Sequence, residues 1–211
     1  AFVTLTAIAA PMPKPNINPD DIYPAPGASP VAKKMGGKAF SDPKQMGMNA
    51  FSVFRFDANA EPNPDFILNQ EPYDRAQILV AGANFGCGSS REMAVWALAG
   101  IGIRSIIAPS FGDIFYNNCF KNGVLPVRLP QADVDDLLAQ VADRSAATLT
   151  IDLQAKTVVA ADGEVRRFDI VEYYRQALLN GLDEISATLG RGHRIEAFER
   201  DYRGQRSWHT F

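Results

Sequence analysis

Cysteine is scarce in this chain, and its scarcity excludes more than any single feature that is present. Among 211 residues only Cys87 and Cys119 carry thiols. Two cysteines cannot build a disulfide framework and no CxxC pair occurs, so both read as reduced thiols of a cytoplasmic protein. Histidine is equally rare: His193 and His209 both lie near the C-terminus. Long basic runs are missing too. Lys33-Lys34 and Arg166-Arg167 are too short for a nucleic-acid-binding patch. No apolar stretch approaches the roughly 20 residues of a membrane span. The run Phe2–Ala10 is apolar but short, has no basic residue before it and stops at Pro11, so it does not read as a signal peptide. Neither an internal repeat nor a low-complexity segment is found. Small molecules and protein partners are what these absences leave.

What is present points to an α/β protein. Hydrophobic residues make up 46% of the chain and the formal net charge is −3, enough apolar material for one domain spanning residues 1–211. Residues 2–10 read as a strand. Seven prolines then fall between Pro11 and Pro30, which should exclude helix and central strand there. A mobile loop is expected over 25–48, a short strand over 51–56 and a frayed tail over 204–211. The apolar runs Ile78–Gly82, Ser105–Ala108 and Val124–Leu129 read as buried strands. Helical spacing over Ser90–Ile101 and Phe111–Gly123 joins them, which predicts a parallel strand–helix–strand core with right-handed crossovers. A helix over Pro130–Asp143 capped by Asp133 follows. Strands at 148–153, 157–160 and 165–170 should pair antiparallel, with Asp162-Gly163 as a hairpin turn. Helices are expected over 171–179, 183–189 and 194–202.

The segment Gly86-Cys87-Gly88-Ser89-Ser90-Arg91-Glu92 carries the chemistry. Its glycines allow close backbone approach, a helix N-terminus supplies partial positive charge, two hydroxyls follow, and Arg91 offers a two-pronged donor for a carboxylate. Placed after a buried strand, it suits a small anion, although a glycine turn with a serine cap would look the same in isolation. Other motifs fail on spacing. A nucleophile elbow would need glycines flanking Cys87 or Ser89 at two residues' distance, where Phe85, Ser89, Cys87 and Arg91 stand instead. The third glycine of the dinucleotide fingerprint is Arg91, and no phosphate-loop lysine is present.

Over Ile78–Leu129 the chain reads ILVAGANFGCGSSREMAVWALAGIGIRSIIAPSFGDIFYNNCFKNGVLPVRL. This resembles the core signature of isopropylmalate dehydratase small subunits, the swivelling β/β/α domain of the aconitase superfamily. Phe2–Pro11, Asn16–Pro24, PDFILNQ at 64–70 and ALLNGLDEISATL at 177–189 extend the likeness. The resemblance implies that Ser89, as an alkoxide, is the catalytic base. Ser90 and Arg91 would bind substrate, Asp20 would sit near the site, and Lys33 or Lys34 would reach substrate. It implies a hydro-lyase that isomerises 2-isopropylmalate to 3-isopropylmalate in leucine biosynthesis, using a [4Fe–4S] cluster. A cluster needs at least three neighbouring cysteines. With two, this chain should bind no metal, and the cluster belongs on a large partner subunit.

Three departures bear on the substrate. The family's SSREHA becomes SSREMA, so Met93 stands for histidine; core packing is the expectation for it. The N-x-D-T-D motif becomes Asn16-Ile17-Asn18-Pro19-Asp20, losing an acid and a hydroxyl. A usual cysteine is Ala177. A citraconate-type or dimethylmaleate-type hydratase subunit, and a non-catalytic regulatory homologue, therefore stand as alternatives. So does a hydrolase using Cys87.

Overall fold

A computed structural model describes residues 1–37, 40, 42–88, 91–182 and 184–206. The order is β1 (Thr4–Met12), α1 (Pro19–Ile22), α2 (Pro30–Lys34), α3 (Pro43–Met48), α4 (Ser52–Arg55), β2 (Ile78–Ala81), α5 (Met93–Gly100), β3 (Ser105–Ala108), α6 (Asp113–Lys121), β4 (Leu125–Arg128), α7 (Gln131–Ala142), β5 (Thr148–Asp152), β6 (Thr157–Val159), β7 (Val165–Arg167), α8 (Glu172–Asn180), α9 (Glu184–Leu189) and α10 (Gly192–Gln205). The strands form one sheet in the order β4-β3-β2-β1-β5-β6-β7. Strands β1 to β4 run parallel; β5, β6 and β7 continue the sheet antiparallel.

β1 is the hinge between the two halves, and it corrects the expectation that Pro11 excludes a central strand. Its first half pairs with β5 and its second half, Ala9–Met12, pairs with β2. The Ile8 and Met12 carbonyls accept from Gln77 and Gly82 on the β2 side, while the Ala9 N–H donates to Ala147 on the other. Backbone groups alternate along a strand, so Pro11 points its missing N–H away from β2, past the end of β5.

Strands β2 and β3 are buried at every position, as a sheet covered on both faces requires. Alternation still sorts their side chains. Leu79, Ala81, Ile106 and Ala108 pack with Ala94, Val95, Ala97 and Leu98 of α5 on one face. Ile78, Val80 and Ile107 pack with Val134, Leu137 and Val141 of α7 on the other. Each Val, Leu or Ile side chain among them contributes about 1.5–3 kcal/mol, so the parallel half is a rigid platform for the loops at its carboxyl edge.

Several expectations are corrected on the flanks. Residues 25–48, expected as a mobile loop, hold α2 and α3, each with a side-chain N-cap, from Ser29 and Asp42. A buried polar cluster ties this stretch down. Ser52 donates to Asn49 Oδ1 (2.8 Å) and its oxygen lies 3.1 Å from Ser29 Oγ, Asn49 donates to the Pro24 carbonyl (2.9 Å), and Ser29 accepts from the Ala32 N–H (3.0 Å). The strand expected at 51–56 is the helical turn α4, because the buried Phe51 is anchored by its N–H to the Ile22 carbonyl. Helix α7 starts after Pro130 with no side-chain cap, so Asp133 lies inside its first turn. Strand β7 stops at Arg167, short of 170, and of the tail expected to fray, 204–205 complete α10 while 207–211 lie outside the described residues. Among the described residues no helix is long and apolar enough to cross a membrane.

Arg166, which the sequence offered only as half of a basic pair, is a buried hub. Its guanidinium, 3% exposed, meets Asp136, Asp162 at 2.8 Å and Glu164 at 3.0 Å. That hydrogen bond holds the Asp162 carboxyl down at about 2, against an ordinary 3.8. A carboxylate whose folded pKa is depressed stabilises fully above its unfolded value and ceases to do so as pH falls through its folded one. Arg166→Gln is therefore expected to lower the urea midpoint at neutral pH and to flatten its fall between pH 4 and 2. An acid limb as steep as that of the unchanged protein would show that the hub has no part in acid unfolding.

Candidate active site

Three loops meet beyond the carboxyl ends of β1, β2 and β3, the edge at which open α/β sheets bind ligands. Backbone hydrogen bonds zip them together. The Asn16 N–H donates to the Ala83 carbonyl (2.9 Å) and the Gly86 N–H to the Ile17 carbonyl (2.7 Å). On the other side the Phe85 N–H donates to the Ser110 carbonyl (3.1 Å) and the Gly112 N–H to the Phe85 carbonyl (2.9 Å). Asn84 closes the seam with its N–H to Ser110 Oγ and its side chain to Asn16, each at 2.8 Å.

The buried Phe85 ring sits edge-on to Phe111 and Phe115, with centroids 6.4 and 5.4 Å away. Its neighbour Gly86 has φ +73°, and a Cβ there would lie 2.6 Å from Phe115 Cβ. Only glycine fits between this aromatic wall and the Ile17 carbonyl. Beyond it, Cys87 is half-buried and Gly88 exposed.

Ser89 and Ser90 lie outside the described residues. Arg91, the next residue, is described, and its Nη1 lies 2.6 Å from Asp20 Oδ1. The structure thus brings together two residues 71 positions apart in sequence that were expected to share a site. Asp20 is held by its own short helix. Asn18 caps α1 by accepting from the Asp21 N–H (2.8 Å), while Asp21 accepts from the Asn18 N–H (3.1 Å). Pro19 occupies the first helical position, where its missing N–H costs nothing. Asn18-Pro19 is thus a sound helix start that still delivers Asp20 to Arg91.

Lys33 and Lys34 are exposed on α2, and Lys34 pairs with Glu61 at 3.1 Å. Among the described residues no hydrogen bond or ion pair links either lysine to Arg91 or Asp20.

Helix α5 begins at Met93, later than the Ser90 expected. Arg91 therefore precedes the helix. Met93 is 37% exposed at the helix start, not packed in the core as expected; α5 buries the smaller side chains Ala94, Val95, Ala97 and Leu98 instead. Glu92, in the N-cap position, makes no capping bond. Its carboxylate accepts from Asn122 Nδ2 (2.9 Å), and Asn122 Oδ1 accepts from Trp96 Nε1 (2.7 Å). Sequence reasoning singled out neither Asn122 nor Trp96. The four-residue spacing of Glu92 and Trp96 placed them on one helix face, but nothing pointed to the partner on α6.

The donor set of this chain does not fit an iron–sulfur cluster. Cys119 is fully buried, and burial pushes its thiol well above the usual range, against the thiolate a ligand must be. Cys87 alone remains. Asp136, Asp162 and Glu164 lie close enough together to suggest a cation site, but Arg166 already supplies their positive charge.

Fold and geometry together define an α/β domain whose sheet-edge loops bring the Arg91 guanidinium against Asp20. The chain belongs to the aconitase C-terminal domain family, whose model matches residues 1–132, and within it to the 3-isopropylmalate dehydratase small subunits. A second family model, LeuD_N, matches residues 135–172. The 3-isopropylmalate dehydratase small subunit of Dinoroseobacter shibae is 47% identical, covering 98% of each chain. That of Rhodospirillum rubrum is 49% identical over 94% of this chain and 91% of its own. Among solved structures, the 3-isopropylmalate dehydratase (leuD) of Methanocaldococcus jannaschii superposes with a TM-score of 0.64 at 22% identity, covering 93% of this chain and 99% of that one. At that identity it speaks for the swivelling-domain fold, which is the fold class expected from the signature.

Proposed function

We propose that the chain works in the cytoplasm as the small subunit of a two-subunit hydro-lyase converting 2-isopropylmalate to 3-isopropylmalate, a step of leucine biosynthesis. The observation that carries this is near-full-length identity to small subunits of that name. The kinship favours this reading over a citraconate-type or dimethylmaleate-type subunit, a regulatory homologue or a Cys87 hydrolase.

Arg91 holds a substrate carboxylate through its guanidinium fork, and Asp20, engaging Nη1, fixes the direction of that fork. Ser89 takes the proton beside a carboxylate and Ser90 binds substrate. Lys33 or Lys34 contributes to the substrate site from α2. The [4Fe–4S] cluster resides on the large subunit, because the thiols here do not form a ligand set. The test is to co-express the chain with its large subunit, purify the complex and assay hydration of isopropylmaleate, with this chain alone inactive. A complex that hydrates citraconate or dimethylmaleate but not isopropylmaleate would replace this reading.

Arg91→Lys keeps the charge and loses the fork. Charge-assisted bonds are worth about 1.5–3 kcal/mol, so kcat/KM is expected to fall about 10- to 100-fold, mainly through KM. Unchanged KM in steady-state assays would remove Arg91 from the carboxylate site.

A further inference from the structure

We infer that Asn122 is a positioning residue for Arg91, acting through Glu92; this rests on the substrate role proposed for Arg91. Asn122 ends α6 and reaches across to the first turn of α5. Its amide makes three side-chain hydrogen bonds, which use both donors: Nδ2 donates to Glu92 Oε1 and to the Asn118 carbonyl, both at 2.9 Å, and Oδ1 accepts from Trp96 Nε1 at 2.7 Å. The amide cannot be reversed. An indole N–H only donates, so it must meet the oxygen, and the carboxylate and carbonyl only accept, so they must meet the nitrogen.

The arrangement locks two consecutive roles into the chain. Glu92, in the N-cap position, makes no capping bond to its own helix. Held sideways by Asn122, it leaves the backbone just before α5 fixed from outside the helix, and Arg91 is the adjacent residue. Arg91 is then determined at both ends: its main chain by the Glu92–Asn122 bond and its guanidinium by Asp20. Trp96, one turn further on, fixes the asparagine and packs against the core. A site that must present a guanidinium within about 0.5 Å of a productive position needs such support.

Asn122→Asp tests this with almost no change of shape. The new carboxylate still accepts from Trp96 but faces Glu92 with like charge. In the complex with the large subunit, KM for 2-isopropylmalate is expected to rise at least tenfold, with kcat within about threefold. Adding Glu92→Gln restores a donor opposite the new carboxylate, and the double variant is expected to return to within about threefold of the original KM. A fall in kcat at constant KM, the signature of a smaller folded fraction, overturns the proposal. So does a KM rise that Glu92→Gln does not rescue. If the unaltered complex is inactive on isopropylmalate, the functional reading fails and the bridge is read from the Arg91 Nε–H resonance in the isolated chain. That resonance must shift in Asn122→Asp and return in the double variant; a resonance that stays in place overturns the proposal on its own.

Discussion

Ser89→Ala is expected to lower kcat of the two-subunit enzyme by about 10²–10⁴-fold, the range a positioned general base supplies, while KM changes less than threefold. An alcohol is far too weak a base unless its anion is stabilised. In this chain the groups that would stabilise it are close in sequence: a glycine-rich loop before it and a guanidinium two residues after it. The competing base is Asp20, whose carboxylate lies beside Arg91. The two readings separate cleanly. If Ser89 is the base, Ser89→Ala removes turnover and Asp20→Asn chiefly raises KM, by freeing Arg91 from its orienting partner. If Asp20 is the base, Asp20→Asn removes turnover and Ser89→Ala is mild. Steady-state kinetics of both variants, with circular dichroism to confirm folding, decide between them.

The parallel core was legible because its strands are short, wholly apolar and separated by helical spacing, so periodicity and burial agree. The ends of elements were less so. The run Phe51–Phe56 is rich in aromatic and β-branched residues like a strand, yet the contact of Phe51 with Ile22 and the Ser29–Asn49–Ser52 cluster turn it into helix. Local propensity is worth tenths of a kcal/mol per residue and yields to such tertiary contacts. Pro11 in a central strand illustrates the same limit: whether a missing N–H matters depends on which neighbour lies opposite, and that is a property of the assembled sheet. At the site, Arg91 and the glycine loop were visible as a motif, and the resemblance carried Asp20 to them across a long separation. Asn122 was invisible for a physical reason. Its importance lies in completing hydrogen bonds between two helices, and neither helix encodes the other's register. Met93 misled because helical spacing alone put it with the apolar face, whereas the helix starts at that very residue and leaves it exposed.

Gly86→Ala is expected to cost about 2–5 kcal/mol of folding stability. Two effects combine. At φ +73° an L side chain adds roughly 1–2 kcal/mol of backbone strain. The new Cβ would also lie 2.6 Å from Phe115 Cβ and 2.5 Å from Cδ1, where carbon atoms pack best at about 3.5–4.0 Å. Phe115 is 2% exposed and braced by Phe85, so the ring has no room to retreat, and overpacking of this kind costs about 1–3 kcal/mol. Gly88→Ala is the control. Its φ is +99°, but among the described residues a Cβ there meets nothing nearer than Asn18 Cβ at 4.0 Å, so the backbone contribution remains, about 1–2 kcal/mol. In a Phe115→Ala background the clash with the ring should vanish while the contact with Cβ remains, so the Gly86 penalty should shrink and the two substitutions should be non-additive by at least about 1 kcal/mol. Urea midpoints at constant m-value compare the four variants with the parent protein. Equal costs at Gly86 and Gly88, or strict additivity with Phe115→Ala, would show that the aromatic wall does not set the path of the loop leading to Arg91.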